Sequence, residues 1–305
     1  MLEDRIIYLN GEFVEWEKAT VHVMSHSLAR GSAIFEVMSF HQTENGPALF
    51  RLDEHVNRLF RTAELLSMKL ALSKEALQHA VLETVKTNHL NEGIVKLICY
   101  YHDIAFDILC PDKALDVCVV AADPAFDFGG FSSCRPEGIS ACVCKWRKLH
   151  PETVPIEAKV AANYLNGMMA RMEATQRGFD VGIMLDTEGF IAEGSIESVL
   201  LVKDGILTAP TLGTVLRGVS RKSIFEAAER TDIKTAEKRL APQALTEADE
   251  ILVSCSPEKV VPVKRIEDRI IPGVPGPVTK RISTLLDEIC SGRNPQFKDW
   301  LFPAR

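Results

Sequence analysis

One lysine and one carboxylate carry the chemistry this sequence can be read for. Lys159 stands alone in a run of apolar and small residues, Ala158-Lys159-Val160-Ala161-Ala162. Burial disfavours the ammonium form, so an amine in such company is available as a nucleophile and suits Schiff-base chemistry with an aldehyde. A lysine that snorkels to water leaves the same signature, and spacing alone does not separate the two. Glu193 follows the apolar run Val181 to Leu185, the turn signal Asp186-Thr187-Glu188-Gly189 and a resumed strand at Phe190-Ile191-Ala192. That pattern predicts a hairpin with Glu193 at its end. Gly194 and Ser195 follow and leave room for close approach of a ligand. A carboxylate there could keep a ring nitrogen protonated, as a pyridinium electron sink requires. An ordinary strand-end carboxylate is the alternative.

Cations and hydroxyls recur in three other stretches. Asp53 is expected to cap a helix running to about Met68, with Val56, Leu59, Phe60, Ala63 and Leu66 on one stripe. Arg58 lies on the polar flank of that stripe, where pattern alone makes it a solvated helix cation. Leu216-Arg217-Gly218-Val219-Ser220-Arg221 leads directly into a helix, and free amides at a helix start favour a phosphate. Ser220 as a simple N-cap fits the same residues. A further hydroxyl cluster, Ser254-Cys255-Ser256-Pro257, ends an apolar strand.

The elements that must position these groups are partly legible. Arg5 to Val14 reads as a hairpin around Asn10-Gly11. Ser73 caps a helix expected over 74–90, and strands are expected over 94–101 and 115–121. An α/β N-terminal domain over 1–122 results. Residues 123–134 are rich in Gly, Pro and Ser without period and read as an interdomain linker, leaving 135–305 as a C-terminal domain that carries Lys159. In that domain Asn163 to Arg177 has helical spacing, with Leu165, Met168, Met169 and Met172 read as core and Gly178 as the stop. A second hairpin, Val199 to Thr208, extends the first into an expected continuous antiparallel meander. The run from Gly273 to Lys280 leads into a final helix.

With 305 residues the chain exceeds what one core usually organises. Its net charge of −7 leaves no footprint for nucleic acid. No apolar run is long enough to span a bilayer, and Met1-Leu2-Glu3-Asp4-Arg5 lacks a signal-peptide layout, so a cytoplasmic protein is expected. The eight cysteines are scattered and read as reduced, mostly buried thiols, with no metal site. Dinucleotide fingerprints, P-loops, His-Glu-x-x-His and Gly-x-Ser-x-Gly are all missing from the sequence.

Three motifs together resemble the class IV, fold-type IV aminotransferases that use pyridoxal 5′-phosphate (PLP), and among these most of all the branched-chain amino acid aminotransferases. They are Pro151-Glu152-Thr153-Val154-Pro155-Ile156-Glu157-Ala158-Lys159, Asn163-Tyr164-Leu165-Asn166 and Glu188-Gly189-Phe190-Ile191-Ala192-Glu193-Gly194-Ser195. The resemblance extends over nearly the whole chain and implies a two-domain, mixed α/β fold of the D-amino acid aminotransferase type with an antiparallel-rich C-terminal domain. It implies that Lys159 forms the aldimine and shuttles the proton, that Glu193 pairs with the pyridine nitrogen, and that Tyr164 bonds the phenolic oxygen. By the same resemblance Arg58 of the family's His-x-x-Arg-Leu motif, Val219, Ser220 and Ser256 hold the phosphate, and His55 supports the helix.

The Ser25 to Val37 segment, with Phe35, borders the substrate pocket by that resemblance. There the chain departs from the pattern. Arg30 stands where these enzymes have tyrosine, Lys96 replaces an arginine, and Pro257 removes a backbone donor beside Ser256. A pocket-facing Arg30 would suit a donor more polar or acidic than leucine, whereas an Arg30 paired with an acid or turned to solvent would not. The function implied is amino transfer between a branched-chain-like amino acid and 2-oxoglutarate in a homodimer. Aminodeoxychorismate lyase or D-amino acid aminotransferase activity on the same fold, and PLP binding without turnover, are the alternatives.

Overall fold

The computed structural model describes residues 2–129, 135, 137–256 and 259–305. The chain divides into two compact units, one of Met1–Ser132, Ala158–Ala162 and Glu288–Arg305, the other of Ser133–Glu157 and Asn163–Asp287. The short segment around Lys159 thus packs with the first unit, although the sequence expectation gave it to the second domain. Of the linker expected over 123–134, residues 130–134 lie outside the described residues. Its start is ordered as a helical turn whose Asp127 carboxylate binds Arg5 at 2.9 and 3.0 Å.

The first unit comprises β1 (Ile6–Leu9), β2 (Glu12–Glu15), α1 (His26–Arg30), β3 (Ile34–Thr43), β4 (Gly46–Phe50), α2 (Leu52–Leu65), β5 (Lys69–Leu70), α3 (Lys74–Thr87), β6 (Gly93–Tyr100), β7 (Ala114–Ala122) and the turn α4 (Pro124–Asp127). Its sheet runs in the order β4-β3-β6-β7-β1-β2, antiparallel throughout, with the tail strand Leu301–Pro303 outside β4 and β5 parallel to β7. The Asn10-Gly11 turn has the positive φ values, 50° and 103°, that the expected hairpin requires. Val56, Leu59 and Ala63 of α2 and Leu77, Val81 and Val85 of α3 pack on Ile34, Met38 and Phe40 of β3 in one core. Ser73 caps α3 as expected, accepting from the Ala76 N–H at 3.2 Å. Asp53 does not cap α2. The helix begins at Leu52, and its N-cap is Arg51, two residues before the expected Asp53 and in the left-handed region at φ 53°. The tail imposes this: the Arg51 N–H donates to the Trp300 carbonyl at 2.8 Å and its guanidinium lies 4.2 Å from the Trp300 ring centroid.

The second unit comprises β8 (Ile139–Arg147), α5 (Tyr164–Gln176), β9 (Val181–Leu185), β10 (Ser198–Lys203), β11 (Ile206–Pro210), α6 (Val219–Glu229), β12 (Thr235–Lys238), α7 (Ala244–Glu247), β13 (Glu250–Ser254), β14 (Val261–Ile266) and β15 (Arg269–Ile270), and α8 (Pro277–Cys290) follows. Its sheet order is β12-β11-β10-β13-β14-β8-β9. The expected continuous meander is therefore replaced by a mixed sheet in which β9 lies at the edge, parallel to β8. Residues 190–193 do return along β9 as expected, with the Asp186 N–H donating to the Phe190 carbonyl at 2.7 Å, the Ala192 N–H to the Met184 carbonyl at 3.0 Å and the Met184 N–H to the Glu193 carbonyl at 2.9 Å. They pair through isolated bridges and not as a full strand, since Ile191 turns its N–H to the Leu240 carbonyl at 2.7 Å.

The methionine stripe is also corrected. Leu165, Met168 and Met172 are exposed, and α5 buries Gly167, Ala170 and Ala174 instead. The reason is close packing. A Cβ on Gly167 would collide with the Ser195 carbonyl oxygen, and one on Gly182 would meet the Ala170 carbonyl oxygen at 2.6 Å, so the helix sits too near its neighbours for long side chains. Among the described residues no helix is long and apolar enough to cross a membrane.

Candidate active site

In the first unit, Lys159 is fixed by its main chain. Phe35 N–H donates to the Lys159 carbonyl at 3.2 Å, Ala161 N–H to Ala33 at 2.8 Å and Ala162 N–H to Gly31 at 3.1 Å, while Ile34 and Val160 form an antiparallel bridge. The Lys159 N–H donates to the Thr62 hydroxyl on α2 at 3.0 Å. Gly31 makes this ladder possible. Its φ is 68°, and a Cβ there would lie 3.3 Å from the Ala162 Cα. Ala158 and Val160 are buried, Lys159 is half-buried, and its Nζ lies 4.8 Å from the centroid of the Phe35 ring. Lys96, exposed on β6, approaches the same ring at 5.6 Å.

Beneath that ladder sits a carboxylate that sequence reasoning missed. Glu36 is fully buried, in the strand register that points Ile34, Met38 and Phe40 into the core. Arg58 grips it in a fork, Nε to Oε1 at 2.8 Å and Nη2 to Oε2 at 2.6 Å, and His55 donates from Nδ1 to Oε2 at 2.7 Å. A carboxylate only accepts, so this bond fixes the tautomer of His55. Burial works to raise the Glu36 pKa, but the Arg58 charge and fork, helped by His55, outweigh it and bring it down to about 2. For His55 burial dominates over the attraction of Glu36 and lowers its pKa, which Arg58 and Lys159 lower further, so the ring is neutral. A charge in a core register was the signal available in the sequence. His55, expected to support the helix, bonds Glu36 on β3.

In the second unit the organising group is Glu193, itself nearly buried. Lys148, just past β8, places Nζ 2.5 Å from Oε1, and the Leu216 N–H donates to Oε2 at 3.1 Å. The loop after Glu193 is held from within, since Gly194 N–H donates to the Glu197 carbonyl at 2.7 Å and Ile196 N–H to its carboxylate at 3.0 Å. Arg171 of α5 pairs with the same Glu197. Glycine is required at 194, where a Cβ would meet the Glu197 carboxylate at 2.6 Å. Lys148 was not singled out from the sequence, where nothing marks it apart from Lys145 or Arg147.

The start of α6 has the features a phosphate needs. Gly218 is its N-cap and has no side-chain cap bond, so the first amides of the helix, from Val219 and Ser220, are not consumed by a capping side chain. A Cβ at Gly218 would meet the Ser198 hydroxyl oxygen at 2.8 Å. The Ser220 hydroxyl donates to Ser256 Oγ at 3.5 Å. Behind them Arg221 is buried against Glu237 and the Pro210 carbonyl, and burial lowers its pKa, opposed by Glu237 and Glu193. Tyr164 opens α5, half-buried. Pro257 lies outside the described residues. Arg30 is exposed, and its Nη2 donates to the Phe106 carbonyl at 3.1 Å.

Known proteins share this architecture over the whole chain. The model of the family described as amino-transferase class IV matches residues 33–266. The branched-chain-amino-acid aminotransferase of Escherichia coli (strain K12) is 32% identical over 297 residues, 97% of this chain and 96% of that protein. That of Pseudomonas aeruginosa is 30% identical over 300 residues, with 97% and 96% covered. A T.th. branched-chain amino acid aminotransferase, solved with N-(5′-phosphopyridoxyl)-L-glutamate, superposes with a TM-score of 0.94 at 31% identity over 100% of both chains. The same enzyme with pyridoxamine 5′-phosphate gives the same score, identity and coverage.

Proposed function

The chain belongs to the class IV aminotransferases, and from that membership we propose that it moves an amino group between a branched-chain-like amino acid and 2-oxoglutarate, with Lys159 as the reacting amine. Its cofactor is PLP. The residues fit that group chemically: a half-buried amine on a fixed main chain, a carboxylate beside a cation, and a helix start without a capping side chain. When bound, PLP supplies an aldehyde that captures amines and a cationic ring that draws off electrons.

The observation that carries the reading is the ladder pairing residues 31–35 with residues 159–162, which holds the Lys159 backbone in a fixed place. Lys159 Nζ is the base that takes and returns the substrate's Cα proton. Glu193 would hold the ring at its nitrogen, and Tyr164 would hold it at its oxygen. Arg58, Val219, Ser220 and Ser256 take the phosphate, the arginine through N–H groups directed by its fork on Glu36. Phe35 and Lys96 border the donor side chain. The branched-chain assignment of donor rests on the relatives named above, and the acceptor on the family resemblance.

A homodimer is part of this proposal. Val23, Leu28, Ile104, Phe106, Ile108 and Leu109 are exposed in the first unit, and main-chain bonds such as Ala105 N–H to Met24 join the two segments that carry them. Leucine with 2-oxoglutarate, followed by glutamate detection, tests the activity. Borohydride reduction with peptide mapping tests the lysine, and a label on any residue other than Lys159 overturns its role. Light scattering that shows a monomer at micromolar concentration overturns the dimer.

A further inference from the structure

Glu193 is held by a residue outside every motif that identified the family. We infer that Lys148 is its positioning residue: the ammonium holds the Glu193 carboxylate aimed and supplies the charge paired with it, and so governs whether the cofactor's ring nitrogen keeps its proton. The inference rests on the proposed pairing of Glu193 with that nitrogen.

The physical case begins with burial. Both side chains are about nine-tenths buried, at 9% and 11% exposure, and Nζ lies 2.5 Å from Oε1. A carboxylate removed from water needs a paired charge and hydrogen-bond donors, and one that is not held in place cannot stand against a positive ring. Lys148 supplies both the charge and a donor. Its own main chain is fixed, the N–H donating to the Leu185 carbonyl on β9 at 2.8 Å. The Leu216 N–H takes the other oxygen at 3.1 Å, so each oxygen has one donor, and the plane of the group is set by two separate parts of the unit. One lone-pair direction on each oxygen remains for a further donor. The surrounding charges balance: Arg221 on α6 interacts with both Glu193 and Glu237, giving two cations and two carboxylates. Deleting Lys148 therefore leaves Glu193 with Arg221 alone, which is already bonded to Glu237 and the Pro210 carbonyl.

The test compares five holoenzymes: wild type, Lys148→Met, Lys148→Arg, Glu193→Gln and the double variant Lys148→Met/Glu193→Gln. Two quantities are read, the pH midpoint of the bound cofactor's visible absorption and the rate of Cα hydrogen exchange from the donor. Lys148→Met is expected to move the midpoint in the same direction as Glu193→Gln and to slow exchange by about tenfold or more. Lys148→Arg is expected to recover most of both. The double variant is expected to match Glu193→Gln, because one residue acts through the other. A midpoint that Glu193→Gln moves and Lys148→Met does not overturns the inference, as does a double variant whose losses multiply. If Glu193→Gln itself leaves the midpoint in place, the pairing of Glu193 with the ring nitrogen falls first and this inference with it. Should Lys148→Met fail to fold, Lys148→Gln removes the charge while keeping a polar stem and carries the same comparison.

Discussion

Each unit of the molecule is built around a buried carboxylate with a cation against it, and the two are not built alike. Glu36 is saturated: Arg58 takes both oxygens in a fork and His55 adds a third bond, all from α2. Glu193 has one side-chain cation and one main-chain N–H, from two loops distant in sequence. The saturated group has little capacity left for a ligand and serves to orient the guanidinium that grips it. The half-satisfied group keeps lone pairs in reserve, as a group that meets a cofactor must. The cations differ correspondingly. The Arg58 guanidinium is a planar fork that meets both carboxylate oxygens, whereas the Lys148 ammonium is a point charge that meets one.

The sharpest way to break this comparison is to neutralise each carboxylate. Glu193→Gln is expected to keep PLP and lower kcat by about 10²–10³-fold, since the amide cannot balance a charged ring. Turnover and cofactor absorbance, measured together, check this. A rate within a few fold of wild type would place Glu193 among ordinary buried acids. Glu36→Gln takes the carboxylate charge out of the Arg58 fork, and a loss of folding stability on the order of 3–5 kcal/mol is expected, larger than that of Glu193→Gln because two buried side chains bond Glu36 and one bonds Glu193. Urea melts of both variants give the ordering, and the reverse order would remove the distinction between the forked and the single contact.

The pH dependence of folding separates the two sites further. Neutral His55, with its pKa lowered in the fold, is expected to cost stability as pH falls below the ordinary histidine value near 6.5, where the unfolded chain binds a proton that the folded chain does not. Glu36 acts later. Its stabilisation is fully present above its ordinary value of 4.5 and is lost as pH falls toward about 2. Acid should therefore weaken the wild type in two steps, and His55→Gln should remove the upper one. Melting temperatures across pH 4 to 8 test this, and an unchanged upper step in His55→Gln would refute it.

These contrasts also mark what the sequence could disclose. Lys159, Glu193 and the start of α6 were singled out because each stands in a local pattern: an isolated lysine, a turn followed by glycine, a glycine before a helix. Their supporting groups were not. Glu36 reaches Arg58 across 22 positions and Lys148 reaches Glu193 across 45, and only tertiary pairing creates those bonds. The N-terminal hairpin and the helices of the first unit follow periodicity, and the pairs β1–β2, β3–β4 and β6–β7 of its sheet join neighbours in sequence, whereas β3–β6 and β7–β1 do not. The second sheet was misread as a meander because β9 pairs in parallel with β8 across a crossover through α5, which alternation cannot reveal. The exposed methionines of α5 mislead for a related reason. Close approach at Gly167 and Gly182 selected the small face of the helix for burial, against the ranking by hydrophobicity.

The smallest effect is expected at Arg30, the departure from the family pattern that most invites a change of substrate. Arg58 and Lys148 are buried against carboxylates. Arg30, by contrast, is exposed at the end of α1 and gives its Nη2 hydrogen to a main-chain carbonyl, that of Phe106, in a stretch where Phe106, Ile108 and Leu109 are exposed. One exposed hydrogen bond is worth about 1 kcal/mol or less. Arg30→Tyr should accordingly alter kcat/KM by less than about tenfold for every donor, with hydrogen exchange rising at residues 104–109 as the tether is lost. A panel of L- and D-amino acids that includes leucine, valine, glutamate and aspartate supplies the measurement. If the efficiency with acidic donors falls by more than that while leucine is unaffected, Arg30 binds the donor's carboxylate, and exposure in the first unit is no guide to a cation's importance.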